Sequence, residues 1–293
     1  MTINMLRAIT AAFALSTLTA SAAENIAAPN RSFENPPADN EFGAVPFFEA
    51  WQKFSKAAYW DETQFGSWNN LSGVFRNSPE GQPGRITNMD GIQAAFLFGT
   101  PGNGIFQELP NTFEAGSTYT LTAGFVNSTF QPPAPGNQIS MALYHRESET
   151  NLVVIAQRDI VFTAAGFPDP TRFTDHTLTA PATVGGSAWL DKPIGIMFFS
   201  STPFETAGGV WDIDNVRLTR EEGLFIRFAL EGSNLRITWK SLAGAQYQVR
   251  VSDDLTAWAD YETSVSGTGG DLSRLIPTTG DQRFFTVRAI AVP

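Results

Sequence analysis

The stretch "GGVWDIDNVRL", Gly208 to Leu218, carries two carboxylates inside what otherwise reads as a buried strand. Successive side chains on a strand point to opposite faces, so Val210, Asp212, Asp214, Val216 and Leu218 share one side if the alternation is unbroken. Val216 and Leu218 suit a core. Asp212 and Asp214 do not, because an unpaired buried charge is very costly. Either something positive offsets them, or the alternation breaks. Gly208 and Gly209, just upstream, tolerate the backbone angles of a β-bulge.

The same rhythm spreads outward from this stretch. "STYTLTAGFV" puts Tyr119, Leu121, Ala123 and Phe125 on one side and Thr118, Thr120 and Thr122 on the other. "QISMALYHR" groups Ile139, Met141 and Leu143, and "NLVVIAQRDIVF", "HTLTAPA" and "KPIGIMFFSS" follow between Gly, Pro and Asn clusters. Many short strands with such punctuation predict an all-β protein, a sandwich or jelly roll. One segment has helical spacing: Phe47, Trp51, Phe54 and Ala58 of "VPFFEAWQKFSKAAYW" predict a short helix or helical turn. The composition, with 24 Phe, 25 Gly, 18 Pro and no Cys, agrees with an all-β chain and excludes disulfides, thiol catalysis and cysteine metal sites.

Residues 1–23 read as a secretory signal: Arg7 precedes the apolar "AITAAFALSTLTA", and "ASAA" supplies small residues for cleavage. The product is expected to be exported, with no membrane insertion, since no later apolar run is long enough to span. The net charge of −10 disfavours nucleic acid and anionic membrane surfaces. A first domain is expected over residues 24–219. The charged "TREEG" then links it to a second over 224–293, where "LFIRFALEG", "NLRITWK", "QYQVRVS" and "RFFTVRAI" each alternate. Trp239 and Trp258 are its expected core anchors.

"NRSFENP", "FEAGSTYTLTAGF" and "WDIDNVRL" together resemble the secreted bacterial jelly-roll domains of the galactose-binding-like superfamily, which includes carbohydrate-binding modules. The tail, from "LRITWK" to "RFFTVRAI", resembles fibronectin type III-like modules, which usually serve as spacers or attachment units. The first resemblance implies a structural calcium ion where the first and last strands meet. By motif position its ligands are Glu34 and Asp214, with Asp212 joining them or facing solvent beyond a bulge. The rival reading pairs these acids with an Arg such as Arg217 or Arg31, or leaves them at an exposed edge.

For function, the resemblance and an aromatic cluster point the same way. "FFEAWQKFSKAAYWDETQFGSW" crowds aromatics among polar residues. Trp60 and Trp68 flank a polar loop and are the expected exposed platform for a sugar ring, with Asp61, Gln64 and Asn69 as hydroxyl partners. In "RITNMDGIQ", Arg85, Asn88, Asp90 and Gln93 read as turn chemistry. His145 and His176 lie in strand-like segments and read as surface residues, and no HExxH, GxSxG or phosphate-binding glycine loop occurs. The expectation is therefore an exported, non-enzymatic protein binding an extracellular polysaccharide or glycan. A structural or adhesive envelope protein is the alternative, and a glycan-active hydrolase the more distant one.

Overall fold

The computed structural model describes residues 23–39, 43–149, 151–183, 187–224, 226–241, 243–277 and 283–291. Most of the predicted leader, residues 1–22, lies outside these. Two units are present, one from Ala23 to Glu221 and one from Glu222 onward.

The first unit runs β1 (Glu24–Ile26), β2 (Ala44–Val45), β3 (Gln52–Lys53), the single-turn helix α1 (Glu62–Phe65), β4 (Ser72–Arg76), β5 (Gln93–Phe98), β6 (Gly104–Thr112), β7 (Ser117–Asn127), β8 (Gln138–Ser148), β9 (Asn151–Val161), β10 (Thr174–Thr179), β11 (Pro193–Ser200) and β12 (Val210–Glu222). The larger sheet has the order β10-β7-β12-β5-β4-β2, with β1 also on β12, and the smaller has β3-β6-β11-β8-β9. Apart from the consecutive pairs β4–β5 and β8–β9, paired strands are not consecutive in sequence, as in a jelly roll. One core lies between the sheets. Tyr119, Leu121, Ala123 and Phe125 of β7 enter it as their alternation predicts, opposed by Ile139, Met141, Leu143 and Phe198.

The start and end of this unit do lie side by side, held by strand pairing. Ile26 pairs with Leu218 and Glu24 with Arg220. Arg220 also bridges Glu24 and Glu114.

The helix expected over Phe47–Ala58 is absent. Trp51 enters the core, while Gln52 and Lys53 form an edge strand on β6. Ala50 sits at φ +68°, which no α-helix accommodates. Pairing with β6 and burial of Trp51 outweigh the weak 3.6-residue spacing.

β12 answers the question its sequence poses. Trp211 and Ile213 face the core, and so do Val216 and Leu218. The alternation therefore slips by one residue between them. Asn215 stands at φ +56°, the left-handed conformation that Asn tolerates better than most side chains. The slip lies at Asn215 and not at the expected Gly208 and Gly209. Asp212 and Asp214 consequently point away from the inter-sheet core, onto the outer face of the larger sheet. Asn215→Val is expected to cost about 1–2 kcal/mol more than Asn215→Gly, because a β-branched side chain strains in that conformation. Urea unfolding of the two variants checks this.

The second unit has a three-stranded sheet of β13 (Ile226–Glu231), β14 (Asn234–Lys240) and β18 (Asp271–Pro277). Its other sheet holds β15 (Gln246–Ser252), β16 (Ala259–Asp260), β17 (Val265–Ser266) and β19 (Phe284–Ala291), all paired to β15. Trp239, Ile237, Tyr247, Val249, Ile276 and Val287 make its core. Trp258 does not join them. It is half-buried, with its indole N–H donating to the Leu255 carbonyl at 3.2 Å, inside a turn organised by Asp254.

Candidate active site

The outer face of the larger sheet is unusually covered. Ala94 of β5 and Val126 of β7 are buried there beneath Ile86 and Phe173, with Phe75 and Met89 packed alongside. Asn88 ties the covering segments together, accepting from the Phe173 N–H at 2.8 Å and donating to its carbonyl at 3.0 Å. Asn215 donates from its side chain to the Asn88 carbonyl at 3.0 Å. The Arg85–Gln93 segment is thus a roof as well as a turn.

Two buried acids lie on this face. Asp212 is 5% exposed and stands opposite Phe96 of β5, whose ring meets that of Phe98 edge-on at 6.3 Å. Burial holds its carboxyl well above the usual carboxylate range, and a hydrogen bond with the Ser128 side chain opposes that only in part. Asp214 is fully buried. Its Oδ2 accepts from the Asp90 N–H at 2.6 Å, while Oδ1 has no hydrogen-bond partner among the described residues. Burial pushes this group up to about 8, and the neighbouring carboxylates of Asp90 and Glu34 add to the rise. The expected Arg partners go elsewhere: Arg217 pairs with Asp175, and Arg31 lies 3.6 Å from Asp90.

Glu34 is near enough to Asp214 for its charge to be felt there. Its Oε1 accepts from the N–H groups of Ile92 and Gln93 at 2.9 and 2.8 Å. Gly91, at φ +106°, makes this possible, since a Cβ there would sit 2.3 Å from that oxygen. Gln93 itself is a structural clasp, donating to the carbonyls of Phe33 and Pro36 and accepting from the Ala38 N–H. Among the described residues no three His, Asp or Glu side chains gather as a metal-binding group. An ion beside Glu34 and Asp214 would need backbone oxygens and water for its remaining ligands.

The aromatic loop is packed on itself. Trp68 is 3% exposed, with its N–H on the Phe54 carbonyl, so it is no exposed platform. Trp60 is half-buried against Trp68 and Phe65, with its N–H on the Gly66 carbonyl. Asp61 caps α1 through Thr63, and exposed Asn69 presents its carbonyl to Lys53. Gln64 is exposed on α1. The histidines are not surface residues either. His145 is 1% exposed, and the ring of His176 stacks on Phe167 and meets Phe125 edge-on.

A second apolar face lies outside the smaller sheet, where Phe54, Phe106, Tyr144, Met197 and Phe199 cluster. Its nearby acid, Glu108, is paired with Arg146. That contrast singles out Asp212 and Asp214, which form no ion pair among the described residues and whose carboxyls are raised first of all by burial.

The family model described as HpiC1 cyclase, HpiC1-like, matches residues 24–219. The chain belongs to the HpiC1-like family. An apo-form cyclase from Fischerella sp. superposes with a TM-score of 0.52 at 20% identity, over 69% of this chain and 98% of its own. A cyclase from Fischerella sp. TAU, in complex with 4-(1H-indol-3-yl)butan-2-one, gives 0.50 at 19%, over 68% and 98%. At these identities the likeness is one of fold. A tandem CBM22 domain from Paenibacillus barcinonensis reaches only 0.36 at 9%, over 74% of this chain and 83% of its own, and carries no argument about ligands. No curated protein matches the sequence. Membership in the HpiC1-like family corrects two expectations, that the chain is not an enzyme and that its task is carbohydrate or surface-polymer binding. The galactose-binding-like resemblance reached the sandwich but not the chemistry, because strand patterning reports a scaffold that hosts many functions.

Proposed function

We propose that the first unit is a cyclase-type isomerase acting on one small, largely apolar, unsaturated molecule. The observation that carries this reading is the placement of Asp212. It is a buried carboxyl with no ion-pair partner among the described residues, set beside Phe96 on a covered sheet face of a chain in the HpiC1-like family. A carboxyl without a counter-charge in such surroundings keeps its proton and can donate it. Ring closure then needs no co-substrate. The proton passes to an unsaturated carbon of the substrate, a carbon–carbon bond closes on the resulting cation, and the carboxylate takes a proton back. The product is an isomer of the starting molecule.

An indole bearing an unsaturated side chain is the class to try first, since a cyclase of this fold binds an indolyl ketone. Incubation of the purified chain with such compounds, followed by mass spectrometry, is expected to yield a product of unchanged mass and new retention time. Products gaining the mass of water, or no conversion across the panel, count against the reading.

Calcium has a supporting place here, separate from the chemistry. Glu34 and Asp214 would hold the ion, and the partnerless Oδ1 of Asp214 is the observation that favours it. When bound it would supply positive charge that ties the Glu34 segment to β12. A native-state ligand at a hundredfold excess over its Kd stabilises by about 2.7 kcal/mol, so the thermal midpoint is expected to be higher in calcium than in chelator. Coincident midpoints would remove the ion. Export is supported by the charge and apolar pattern of residues 1–23. A fibronectin III-like spacer role for the second unit is supported by its two small sheets.

A further inference from the structure

We propose that residues 162–173 form an acid-released flap, closed over the Asp212 face while the His176 ring is neutral and freed when that ring takes up a proton. Its effect on turnover rests on the Asp212 reading; the opening itself does not.

The segment joins β9 to β10 and passes from the inter-sheet core to the outer face of the larger sheet. Three rings hold it. Phe162 and Phe167 enter the core against Trp211, and Phe173 covers Ala94 and Val126 on the outer face. Phe173 lies flat on β7 because Gly124 is there: a Cβ on Gly124 would sit 2.9 Å from the Phe173 Cβ. Residues 163–166, 168 and 169, between these anchors, are exposed. The flap meets the Arg85–Gln93 roof through the Thr87 N–H, which donates to the Thr171 carbonyl at 2.9 Å, and through the bonds of Asn88 to Phe173. A cover held by a few anchors can open without the sheets coming apart.

His176 of β10 sits against the middle anchor. Its ring stacks on Phe167 at 5.8 Å and meets Phe125 edge-on at 5.7 Å. Both ring nitrogens are shielded from water and have no hydrogen-bond partner among the described residues. A neutral imidazole leaves one donor and one acceptor unmet there, whereas an imidazolium would leave two donors and a charge. The charged groups that act on the ring are Arg158 of β9, which opposes a proton, and Asp175 of its own strand, which favours one. Asp175 is paired with Arg217 of β12, and β7 faces the ring with Ala123 and Phe125. On the flap itself, Asp169 is taken up by Thr171 and Arg172 is exposed. Burial first, then Arg158, hold the ring below the ordinary histidine range. The open, hydrated ring therefore binds a proton more readily than the closed one. The cover is kept above a pH of about 6.5 and lost as pH falls below it. Asp212 and Asp214 act in the opposite sense, because acid neutralises carboxyls that burial already holds high.

Hydrogen exchange of the full chain at pH 7.5 and 5.5, corrected for the intrinsic rate, reads the opening at the Thr87, Phe167 and Phe173 N–H groups. Protection there is expected to fall by up to about tenfold in the wild type, as an ordinary histidine in the open state allows, while β8 and β11 keep theirs. His176→Phe, with His176→Leu as a second variant, is expected to abolish the fall. Phe167→Ala is expected to lower protection at Thr87 and Phe173 already at pH 7.5. A fall of equal size in the His176 variants, or none in the wild type, would overturn the flap. So would loss of protection in β8 and β11 in step with the flap, which is acid unfolding of the whole unit. Local opening that leaves turnover unchanged between the two pH values supports the flap and counts against the Asp212 reading.

Discussion

Asp212→Asn is expected to lower the rate of ring closure on the order of 10²–10⁴-fold, the usual contribution of a positioned general acid, while the chain stays folded. Asn matches the shape of a neutral carboxyl and can still hydrogen-bond Ser128. It has no proton to give to carbon. The thermal midpoint is therefore expected to hold or rise, since the variant removes the cost of burying an ionisable group. Steady-state kinetics and a melting curve on the same preparation separate the two effects. A variant that turns over at the wild-type rate would show that another group supplies the proton.

Trp211→Ala is expected to have the largest effect on stability, about 3–5 kcal/mol, as for other buried aromatics cut to Ala. Trp211 is fully buried, with its ring 5.2 Å from Phe167 and 6.0 Å from Phe162. Its N–H donates to the Asn137 Oδ1 at 2.7 Å, while the Asn137 side chain donates to the carbonyls of Thr206 and Gly208, both at 2.8 Å. One indole thus supports both the core and the loops that lead into β12. Trp211→Phe keeps most of the apolar burial but leaves the Asn137 oxygen without its donor, for about 1–3 kcal/mol. Denaturant midpoints for both variants check the order. A Phe variant as damaged as the Ala variant would place the main contribution in the hydrogen bond.

The legible part of this molecule is the part with period two. Tyr119 to Phe125 and Ile139 to Leu143 enter the core because alternation on a long strand has only one burying register. The Asn215 slip was hidden by a more familiar signal, the Gly208–Gly209 pair, although Asn after Asp in a strand is itself a cue to left-handed backbone. Trp68 and Trp258 were misplaced for a shared reason. An indole beside polar residues reads as exposed or as core, whereas both rings finish in local turns with the N–H on a nearby carbonyl. Asp212 was visible from the outset as a misplaced charge. What could not be read was the partner: Ser128 lies 84 positions away in the chain, and nothing in the local pattern of either segment points to the other. The enzymatic character was invisible for a related cause, since one carboxyl beside aromatic rings leaves no motif of fixed spacing.

On the reading proposed above, ring closure takes place on the covered outer face of the larger sheet, at Asp212. A crystal structure of the chain with 4-(1H-indol-3-yl)butan-2-one bound tests it most directly. The ring is expected against Phe96, with a polar atom of the ligand within hydrogen-bond distance of the Asp212 carboxyl. A ligand seated on the Phe106 and Phe199 face of the smaller sheet, or against Trp60, with Asp212 untouched, would contradict it.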